Sequence, residues 1–342
     1  MRLVARRRTL ALARPLHTAY GAIAERDIVL VEIGDGELVG HGEAAPLPAY
    51  DGVSVERVEH ALALYTAALA QAGELSGARA LEICREADPL PSALAAVDIA
   101  LWDLAARARE EPIAALLCES PAPGVAVNAT LSADGTDAAA SEAAAAARAG
   151  FTCVKVKVGT GDDAGRVAAV RAAVGPDVAL RLDANGAWSV PQAVRALDSL
   201  ARWEIELAEE PVHGLAAIRA LRERVAVSLA IDETAGEDGA LASGAAHAVC
   251  LKLSRCGGIS GLLAAAALVR ASGAQPYLAS TLDGPVGIAA ALHAAAALSS
   301  AGPLPHCGLA TLRLFADLED PLPARAGAIA LPTGPGLGIP VF

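Results

Sequence analysis

Five charged residues close five apolar, β-like segments at nearly regular intervals along the chain. They are Lys157, Asp183, Glu209, Asp232 and Lys252, separated by 26, 26, 23 and 20 residues. Each interval accommodates one strand, one helix and two loops, which is the period of a parallel α/β barrel. In such barrels the carboxyl ends of the strands meet on one face, and catalytic residues come from several of them. The sequence therefore predicts a barrel with three carboxylates and two lysines on one rim.

From residue 125 onward, apolar strand-like segments alternate with helical patterns, as a parallel barrel requires. The predicted strands are 125–129, 152–157, 178–183, 204–209, 227–231, 248–252 and 275–279, followed by a weaker eighth strand at 303–307. The predicted helices are 137–149, 161–173, 190–201, 214–223, 257–271 and 284–298. Asp283 and Gly284 stand before Pro285, an arrangement typical of a helix start.

Residues 1–120 do not repeat this alternation. Strand-like segments occupy 2–14, 26–33 and 38–43, and helical patterns occupy 54–72 and 92–109. A turn at Gly34-Asp35-Gly36 joins the second and third strands, and Ser92 is the predicted N-cap of the second helix. Strands followed by helices indicate a separate α+β domain. The predicted division is a capping domain at 1–120, a barrel at 121–320, and a Pro- and Gly-rich tail at 321–342 that packs on the capping domain.

The overall charge argues against nucleic acid as a partner. The 342-residue chain has a formal net charge of −12 at pH 7 and a pI near 5.1. Binding to phosphates needs clustered Lys and Arg instead. The one basic run, Arg6 to Arg8, lies in a predicted strand and is typical of a solvated edge.

The same composition predicts a cytoplasmic protein without a membrane segment. Apolar stretches of about 18 residues are interrupted by charge, Gly or Pro, and the charged N-terminus does not resemble a secretory signal. The six cysteines form no Cys-x-x-Cys pair. Cys153 and Cys250 fall in predicted buried strands, where a thiol behaves as a small hydrophobic group. We therefore expect reduced thiols and neither a disulfide nor a zinc site. The sequence permits a homo-oligomer without indicating one.

Asp183, Glu209 and Asp232 each close a run of apolar residues. A carboxylate buried at a strand end is costly unless it is paired or binds a metal. A salt bridge to a neighbouring lysine would explain any one of them, but three in register favour a divalent cation. Ligands that offer only oxygen favour Mg²⁺ or Mn²⁺ over Zn²⁺. Asn185 and Glu233 follow two of these residues closely and are expected to support the ligands.

Lys157 and Lys252 lie at the ends of the second and sixth predicted strands, on either side of the three carboxylate strands. They either neutralise the carboxylates or act on a bound substrate from two sides. A lysine near a divalent cation in a dry pocket loses its proton more easily, so it can act as a base near neutral pH. Lys155 adds positive charge on the same strand as Lys157. Arg181 points into the barrel interior and is expected to orient neighbouring groups.

The chain carries the motifs LWDL, KVKVG, LDANGAW, EEP, IDET and LKLSRCGGI in this order. The ordered set resembles the muconate-lactonizing subgroup of the enolase superfamily over nearly the whole chain. The resemblance implies an α/β fold, a (β/α)7β TIM-like barrel, with an α+β capping domain whose loops close over the substrate. It also implies that Lys157 and Lys252 are the acid/base pair and that Asp183, Glu209 and Asp232 bind Mg²⁺. A Lys or His base working with Mg²⁺ on an enediolate is the known chemistry of this superfamily and not a deduction from spacing.

Within that subgroup, the segment GEAAPLPAYDG resembles part of the o-succinylbenzoate synthases. ASTLDGPVGIAAALHAAAAL and HCGLATLRLFADL also resemble the C-terminal part of some of these enzymes. The resemblance implies a lyase of menaquinone biosynthesis that dehydrates a small cyclohexadiene carboxylate. Specificity is expected from residues 16–22 and 45–53 of the capping domain. Ser280 and Thr281 offer hydroxyls suited to a carboxylate or carbonyl tail, with Asp283 expected beside them.

The main alternative is a dipeptide epimerase, which uses the same two lysines and metal. Such enzymes usually carry an Asp-x-Asp pair on the eighth strand to receive a substrate ammonium. Here the predicted strand is LPHCGL, and Asp317 and Asp320 follow too late. Muconate cycloisomerase and N-acylamino acid racemase are further alternatives. A non-catalytic binding or scaffold barrel would leave gaps in the lysine–carboxylate set, and that set is complete.

Overall fold

The computed structural model describes residues 1–18, 21–34, 38–72, 75–133 and 135–341. An antiparallel sheet opens the capping domain, in the order β1 Arg2–Thr18, β2 Gly21–Gly34 and β3 Val39–Ala44. β1 and β2 continue beyond their predicted ends and reach into the expected specificity segment 16–22. Residues 19 and 20 of that segment lie outside the described residues, as do residues 35 and 36 of the predicted turn.

Among the described residues of the capping domain, the helices are α1 Pro48–Asp51, α2 Val55–Gln71, α3 Gly77–Ala87, α4 Pro91–Arg107 and α5 Ile113–Leu117. The predicted helices 54–72 and 92–109 correspond to α2 and α4, whereas α3 was not predicted. The prediction of Ser92 as the N-cap is wrong, because Leu90 is the N-cap and Pro91 occupies the first turn. Proline suits that position because its missing N–H group would have no helical partner there. α2 and α4 bury their apolar sides against the sheet.

The barrel consists of short parallel strands that follow the predicted positions closely. The short strand β4 Gly124–Ala126 precedes the barrel sheet, whose strands are β5 Ala129–Thr130, β6 Cys153–Lys157, β7 Ala179–Asp183, β8 Ile205–Glu209, β9 Ser228–Ile231, β10 Ala248–Leu251 and β11 Gln275–Leu278. β5 to β11 form one seven-stranded parallel sheet in chain order. This arrangement confirms the (β/α)7β fold predicted from the sequence.

The predicted eighth strand at 303–307 is reduced to two bridges. Cys307 pairs with Val127 and Gly308 pairs with Ala279, both in parallel. These bridges join the segment to both edges of the seven-stranded sheet and close the barrel. Pro303 and Pro305 precede the bridges, and proline cannot donate to a strand ladder. The pairing is therefore limited to the residues that follow.

In the described part of the barrel, seven α-helices surround the strands: α6 Thr136–Arg148, α7 Asp163–Val174, α8 Val190–Leu200, α9 Leu215–Arg222, α10 Leu253–Cys256, α11 Ile259–Ala271 and α12 Pro285–Ser300. The predicted helix 257–271 is preceded by the separate turn α10. α12 is buried along nearly its whole length, because it packs between the barrel and the capping domain. Across the described part of the chain, no helix combines the length and apolar character needed to cross a bilayer.

The C-terminal tail contacts both parts of the molecule. Its strand β12, Ala328–Ala330, pairs antiparallel with β4 at the start of the barrel. Farther along, the backbone N–H of Leu337 donates to Asp103 Oδ1 on α4, at 2.8 Å. The tail therefore ties the first barrel segment to the capping domain.

Candidate active site

The ends of the barrel strands bring the five predicted rim residues together. Lys157 is in register with Asp183, and Asp183 with Glu209, at the ends of β6, β7 and β8. Asp232 and Lys252 directly follow β9 and β10. The three carboxylate residues are almost fully buried, with relative exposures of 1%, 2% and 3% in chain order. Since carboxylates at such depth need positive charge nearby, their partners define the site.

Each rim carboxylate is in contact with a lysine ammonium. Lys157 Nζ lies 2.6 Å from Asp183 Oδ2, and Lys252 Nζ lies 2.6 Å from Asp232 Oδ2. Lys155 Nζ lies 3.0 Å from both Asp183 Oδ2 and Glu209 Oε1. Three carboxylates and three lysines therefore balance one another at the rim.

The rim carboxyl groups have different pKa shifts because their partners differ. Burial alone raises the pKa of a carboxyl, but Lys155 and Lys157 outweigh it and hold the pKa of Asp183 well below its ordinary value. Lys252 likewise lowers the pKa of Asp232 against the effect of burial. Glu209 has a raised pKa, because burial and the neighbouring carboxylates exceed the effect of Lys155. Burial opposes the charge on Lys252, yet Asp232 raises the pKa of this lysine well above its usual range.

The donor set at the rim suits a hard divalent cation. Carboxylate oxygens of Glu209 and Asp232 and the Sγ atom of Cys250 lie within 4.8 Å of one another. Burial raises the pKa of the Cys250 thiol well above its ordinary value, so it remains protonated and is a poor ligand. Lys155 links Asp183 to this group through its two contacts. The remaining donors are carboxylate oxygens, which Mg²⁺ prefers.

Glu210, the second glutamate of the EEP motif, fixes the position of Asp232. It is fully buried, and its carboxylate accepts hydrogen bonds from the backbone N–H groups of Asp232, at 2.8 Å, and of Thr234, at 3.0 Å. Its backbone has a φ of 41°, an unfavourable left-handed conformation for a glutamate. The hydrogen bonds of the side chain hold that turn. Burial raises the pKa of the Glu210 carboxyl to about 7.

Tyr277 orients Glu209 from the seventh strand of the sheet. Its hydroxyl donates to Glu209 Oε2 at 2.8 Å, and the side chain is buried. Sequence reasoning missed this residue because an aromatic side chain in a buried strand is usually part of the core.

Tyr50 connects the capping domain to the rim. Its hydroxyl donates to Asp232 Oδ1 at 2.5 Å, and Lys252 Nζ lies 3.9 Å from its ring centroid. Arg255, on α10, donates to the Tyr50 hydroxyl and to the carbonyl oxygen of Asp232. The specificity segment 45–53 contains Tyr50, but nothing in the sequence distinguishes this residue from its neighbours.

Arg181 lies one layer below the rim. Its guanidinium contacts Glu206 Oε2 and the carbonyl oxygen of His306, both at 2.7 Å, and lies 5.6 Å from the ring of Tyr277. Its contact with the Tyr277 ring links it to Glu209 at the rim. Cys153, Glu206 and His306 also have ligand atoms within 4.8 Å of one another. A cation does not fit this second group, because the Arg181 guanidinium already pairs with Glu206.

A cavity opens onto the rim and contains most of the predicted residues. Its rim side is lined by Lys155, Lys157, Asp183, Asn185, Asp232 and Lys252. Its remaining wall includes the apolar residues Leu16, Ile23, Leu47, Leu282 and Leu314. Hydroxyl groups in the wall come from Tyr50, Thr130, Ser280, Thr281 and Thr311. Among the described lining residues, the acidic ones are Asp183 and Asp232, and both are paired with lysines.

The other predicted residues support the cavity from outside. Glu233 Oε1 accepts a hydrogen bond from Asn185 Nδ2 at 2.9 Å, while Asn185 Oδ1 lies 2.6 Å from Lys157 Nζ. Asp283 lies outside the described lining and accepts a hydrogen bond from Thr281 Oγ1 at 2.8 Å. Asn185 therefore positions Lys157, whereas Asp283 positions Thr281.

Comparisons with known proteins agree with this architecture. Residues 1–118 match the N-terminal domain of mandelate racemase / muconate lactonizing enzyme, and residues 138–341 match the enolase C-terminal domain-like family. The chain is 33% identical to a chloromuconate cycloisomerase of Delftia acidovorans over 95% of this chain and 92% of the relative. It is 41% identical to an o-succinylbenzoate synthase of Thermobifida fusca, over 58% of this chain and 63% of the relative.

A solved structure with a similar fold contains both a metal and a dipeptide. It is a dipeptide epimerase from Enterococcus faecalis in complex with Mg and the dipeptide L-Leu-L-Tyr. The TM-score is 0.89 at 29% identity, and the match covers 98% of each chain. The shared fold thus occurs in proteins that carry out at least three different reactions.

Proposed function

Because the chain belongs to the mandelate racemase / muconate lactonizing enzyme family of the enolase superfamily, we propose that it removes the proton α to a carboxylate with the help of Mg²⁺. Relatives in this family are lyases or isomerases, and the chain is an enzyme of this kind. The reaction we assign is the dehydration carried out by o-succinylbenzoate synthases. Asp183, Glu209 and Asp232 would hold the metal, which supplies positive charge at the substrate carboxylate.

The assignment to dehydration rests on the side chains that line the cavity wall away from the rim. It offers neutral hydroxyls and apolar side chains, and the two acidic residues of the described lining are already paired with lysines. A substrate ammonium would be left without a partner there, which is costly in a buried site. Ser280 and Thr311 share one hydrogen bond, so one hydroxyl of this pair can instead donate to a carboxylate or carbonyl tail. The Thr281 hydroxyl, in contrast, already donates to Asp283.

The charge balance at the rim favours an anionic substrate. Three carboxylates there face three lysines. Lys157 must be neutral to act as the base, so the other two ammonium groups and a divalent cation leave the set with one positive charge. The carboxylate next to the reacting carbon of the substrate cancels this charge.

The two lysines have separate tasks in the dehydration. Lys157 takes the α-proton onto Nζ, and Asn185 Oδ1, at 2.6 Å, holds that nitrogen in place. Lys252 remains an ammonium because of Asp232, and its charge stabilises the enediolate that forms. Lys157 then returns its proton to the β-hydroxyl as the C–O bond breaks. Water leaves, and the new double bond completes an aromatic ring.

Epimerisation of a dipeptide is the second candidate, and the positions of the lysines favour it. Lys157 and Lys252 follow β6 and β10 and flank the three carboxylate strands, and both line the cavity. In an epimerase, Lys252 would return the proton on the face opposite Lys157. The apolar wall around Leu282 and Leu314 would suit a hydrophobic side chain.

A competition between substrates tests the assignment. The purified protein is stripped of metal, reloaded with Mg²⁺ or with Mn²⁺, and assayed with the synthase substrate, a dipeptide library, muconate and N-acylamino acids. We expect kcat/KM for dehydration to exceed that for any other reaction, with Mg²⁺ sufficient for activity. Efficient epimerisation of hydrophobic dipeptides without dehydration would reject the synthase assignment and favour the second candidate.

A further inference from the structure

A second set of charged residues is buried between the two domains, away from the rim. Arg26 on β2 and Glu43 on β3 face Asp283, which stands just before α12. Their relative exposures are 3%, 4% and 6%. We call these three residues the interdomain cluster. The proposed reaction uses none of them.

The cluster holds the capping segment 45–51 through its backbone. Arg26 Nη1 donates to the carbonyl oxygen of Pro46 at 2.6 Å, and Arg26 Nη2 donates to that of Ala45 at 3.0 Å. Thr281 Oγ1 lies 3.3 Å from the same Ala45 oxygen and 2.8 Å from Asp283 Oδ1. The carbonyl of Ala45 is therefore a point where the capping domain and the barrel share one network.

Glu43 adds a direct hydrogen bond from the capping domain to the start of α12. The backbone N–H of Gly284, the N-cap of that helix, donates to Glu43 Oε1 at 2.6 Å. Gly284 has no side chain to cap the helix, and a carboxylate is favourable near a helix N-terminus. A Cβ atom at Gly284 would lie 2.7 Å from Glu43 Oε2, and one at Gly287 would lie 2.9 Å from Glu43 Oε1. The approach of Glu43 therefore requires glycine at both positions.

The cluster contains two carboxyl groups and one guanidinium, so its charges do not balance. Burial and the neighbouring Asp283 raise the pKa of Glu43 to about 8, and burial also raises the pKa of Asp283. The charged groups around this pair are Arg26 on β2, Asp51 on α1 and Lys252 after β10. Among the described residues, Glu43 Oε2 has no hydrogen-bond partner. A proton shared within the cluster at neutral pH would remove the excess negative charge.

The two segments that the cluster joins form two walls of the substrate cavity. Leu47, Ala49 and Tyr50 line it from the capping domain, and Ser280 to Leu282 line it from the barrel. We propose that Arg26 and Glu43 are positioning residues that fix segment 45–51 against the loop 280–284 and so determine substrate affinity. The inference rests on the proposed function only in that the cavity between these walls is taken as the substrate site.

Loosening the contact between segment 45–51 and the loop 280–284 should affect substrate binding more than the chemical step. The rim lysines and carboxylates stand at the ends of barrel strands, and segment 45–51 reaches them through Tyr50, which contacts Asp232 and Lys252. The walls of the cavity depend on the cluster more directly, because Ala45 of this segment shares contacts with Arg26 and Thr281. We therefore expect variants of the cluster to raise KM and to leave kcat much less affected.

A matched pair of variants tests this proposal. Glu43→Ala removes a buried capping-domain carboxylate that accepts a barrel-helix N–H group. Asp98→Ala removes another, since Asp98 on α4 accepts hydrogen bonds from Ser260 N at 3.0 Å and Ser260 Oγ at 2.6 Å, away from the cavity lining. We expect Glu43→Ala to raise KM at least about tenfold with kcat within about threefold, and Asp98→Ala to change neither. Equal effects of the two variants would mean that Glu43 acts only as general support for the domain interface.

Hydrogen exchange separates this proposal from the identity of the substrate. In the full-length protein without substrate, peptides covering 45–51 and 280–288 should exchange faster in Glu43→Ala than in Asp98→Ala. Unchanged exchange in both peptides would overturn the proposal even if the enzyme proved to be an epimerase. If no assayed substrate is turned over, the exchange result still decides the positioning role.

Conservative variants keep the test valid if Glu43→Ala does not fold. Glu43→Gln retains an oxygen acceptor for Gly284 and needs no shared proton, so it should restore KM and exchange at neutral pH. In the natural protein KM should rise above about pH 8 as the cluster loses its proton, whereas Glu43→Gln should show a smaller rise. Arg26→Lys should give an intermediate KM, because a lysine cannot hold both carbonyl oxygens with fork geometry. A pH profile identical in Glu43→Gln and the natural protein would contradict the proton-sharing step.

Discussion

The rim and the interdomain cluster bury the same type of side chain to a similar depth, yet their carboxyl groups respond in different ways. Asp183 and Asp232 at the rim have lowered pKa values because lysines outweigh the effect of burial. Glu43 and Asp283 in the cluster have raised pKa values because burial outweighs the effect of the single arginine that faces them. Glu209 also lies at the rim, but its contact with Lys155 does not outweigh burial, so its pKa is raised. The number of nearby cations decides whether the pKa of a buried carboxyl group rises or falls, and the depth of burial sets how large these opposing effects are.

The buried charges at the rim have a proposed chemical role, whereas those of the interdomain cluster have a proposed structural role. At the rim, every ammonium contacts a carboxylate oxygen that would ligate a cation, so binding of metal must rearrange these contacts. In the cluster, the charged groups are bound to backbone atoms of both domains, namely the carbonyls of Ala45 and Pro46 and the N–H of Gly284. Such contacts hold segments in place.

The largest effect is expected from Lys157→Ala, which removes the proposed base at the rim. Turnover should fall by roughly 10²- to 10⁴-fold, the usual contribution of a positioned acid/base group. Exchange of the substrate α-proton in deuterated water should disappear. Lys252→Ala should also reduce turnover by orders of magnitude through the loss of charge stabilisation.

Calorimetric titration with Mg²⁺ provides the control for both lysine variants. The carboxylate ligands remain in each, so metal binding should persist while turnover is lost. Near-normal turnover in Lys157→Ala would show that another group is the base.

Asp232→Asn is the next test, and it concerns the metal. The change removes the negative charge of a proposed ligand and leaves Lys252 without its carboxylate. Because loss of an outer-shell partner alone typically costs about 10- to 100-fold in metal affinity, we expect a weakening of at least that size by calorimetry. Asp103→Asn, at a buried carboxylate on α4 away from the rim, is the matched control. Equal Mg²⁺ affinity in Asp232→Asn and the natural protein would rule out the metal site at the rim.

A smaller effect on stability should distinguish the cluster from the rim. Glu43 has an ordinary pKa of 4.5 and a pKa of about 8 in the folded protein, so the folded state keeps a proton that the unfolded chain releases. The free energy of unfolding should therefore fall as the pH rises between these values, by at most about 1.4 kcal/mol per pH unit from this group. Glu43→Gln should show a shallower decrease in urea unfolding at pH 5.5 and 8.0. Parallel pH dependences in the two proteins would mean that Glu43 is ionised throughout this range.

The rim was predictable because it is encoded locally. Asp183 and Glu209 each stand at the end of a short apolar strand, and the strand period places these ends on one face. Helix and strand positions in the barrel followed from the same periodicity. The eighth strand was overestimated because Pro303 and Pro305 limit its pairing, and α10 was missed because a single turn has no periodic pattern.

The interdomain cluster could not be predicted, since its contacts join distant parts of the chain. Glu43 and Gly284 are separated by 241 residues, and the local sequence around neither residue predicts their contact. The same holds for Tyr50, which lies 182 residues from Asp232. The sequence predicted the segment 45–53 as a determinant of specificity, but only the fold shows which of its side chains reaches the rim. Local signals predict elements and strand ends, while contacts between domains require the folded structure.

The smallest expected effect concerns Tyr277, which supports the rim without touching the cavity. Tyr277→Phe removes the hydroxyl that donates to Glu209 Oε2 at 2.8 Å. Tyr65→Phe is a close control, because the Tyr65 hydroxyl is equally buried and donates to the carbonyl oxygen of Asp88 in the capping domain. Each change should lower the free energy of unfolding by about 1 kcal/mol, the usual net value of one hydrogen bond.

Only Tyr277→Phe should also weaken Mg²⁺ binding, by about tenfold, because a ligand that loses its outer hydrogen bond is less well oriented. Calorimetric titration of both variants measures this difference directly. If both bind Mg²⁺ as the natural protein does, the position of Glu209 is set by Lys155 alone, and the contribution of the seventh strand to the rim is confined to stability. If both lose affinity equally, general destabilisation accounts for the effect. A selective loss in Tyr277→Phe would extend the functional rim beyond its charged residues to a neutral hydroxyl on a strand that carries none of the proposed ligands.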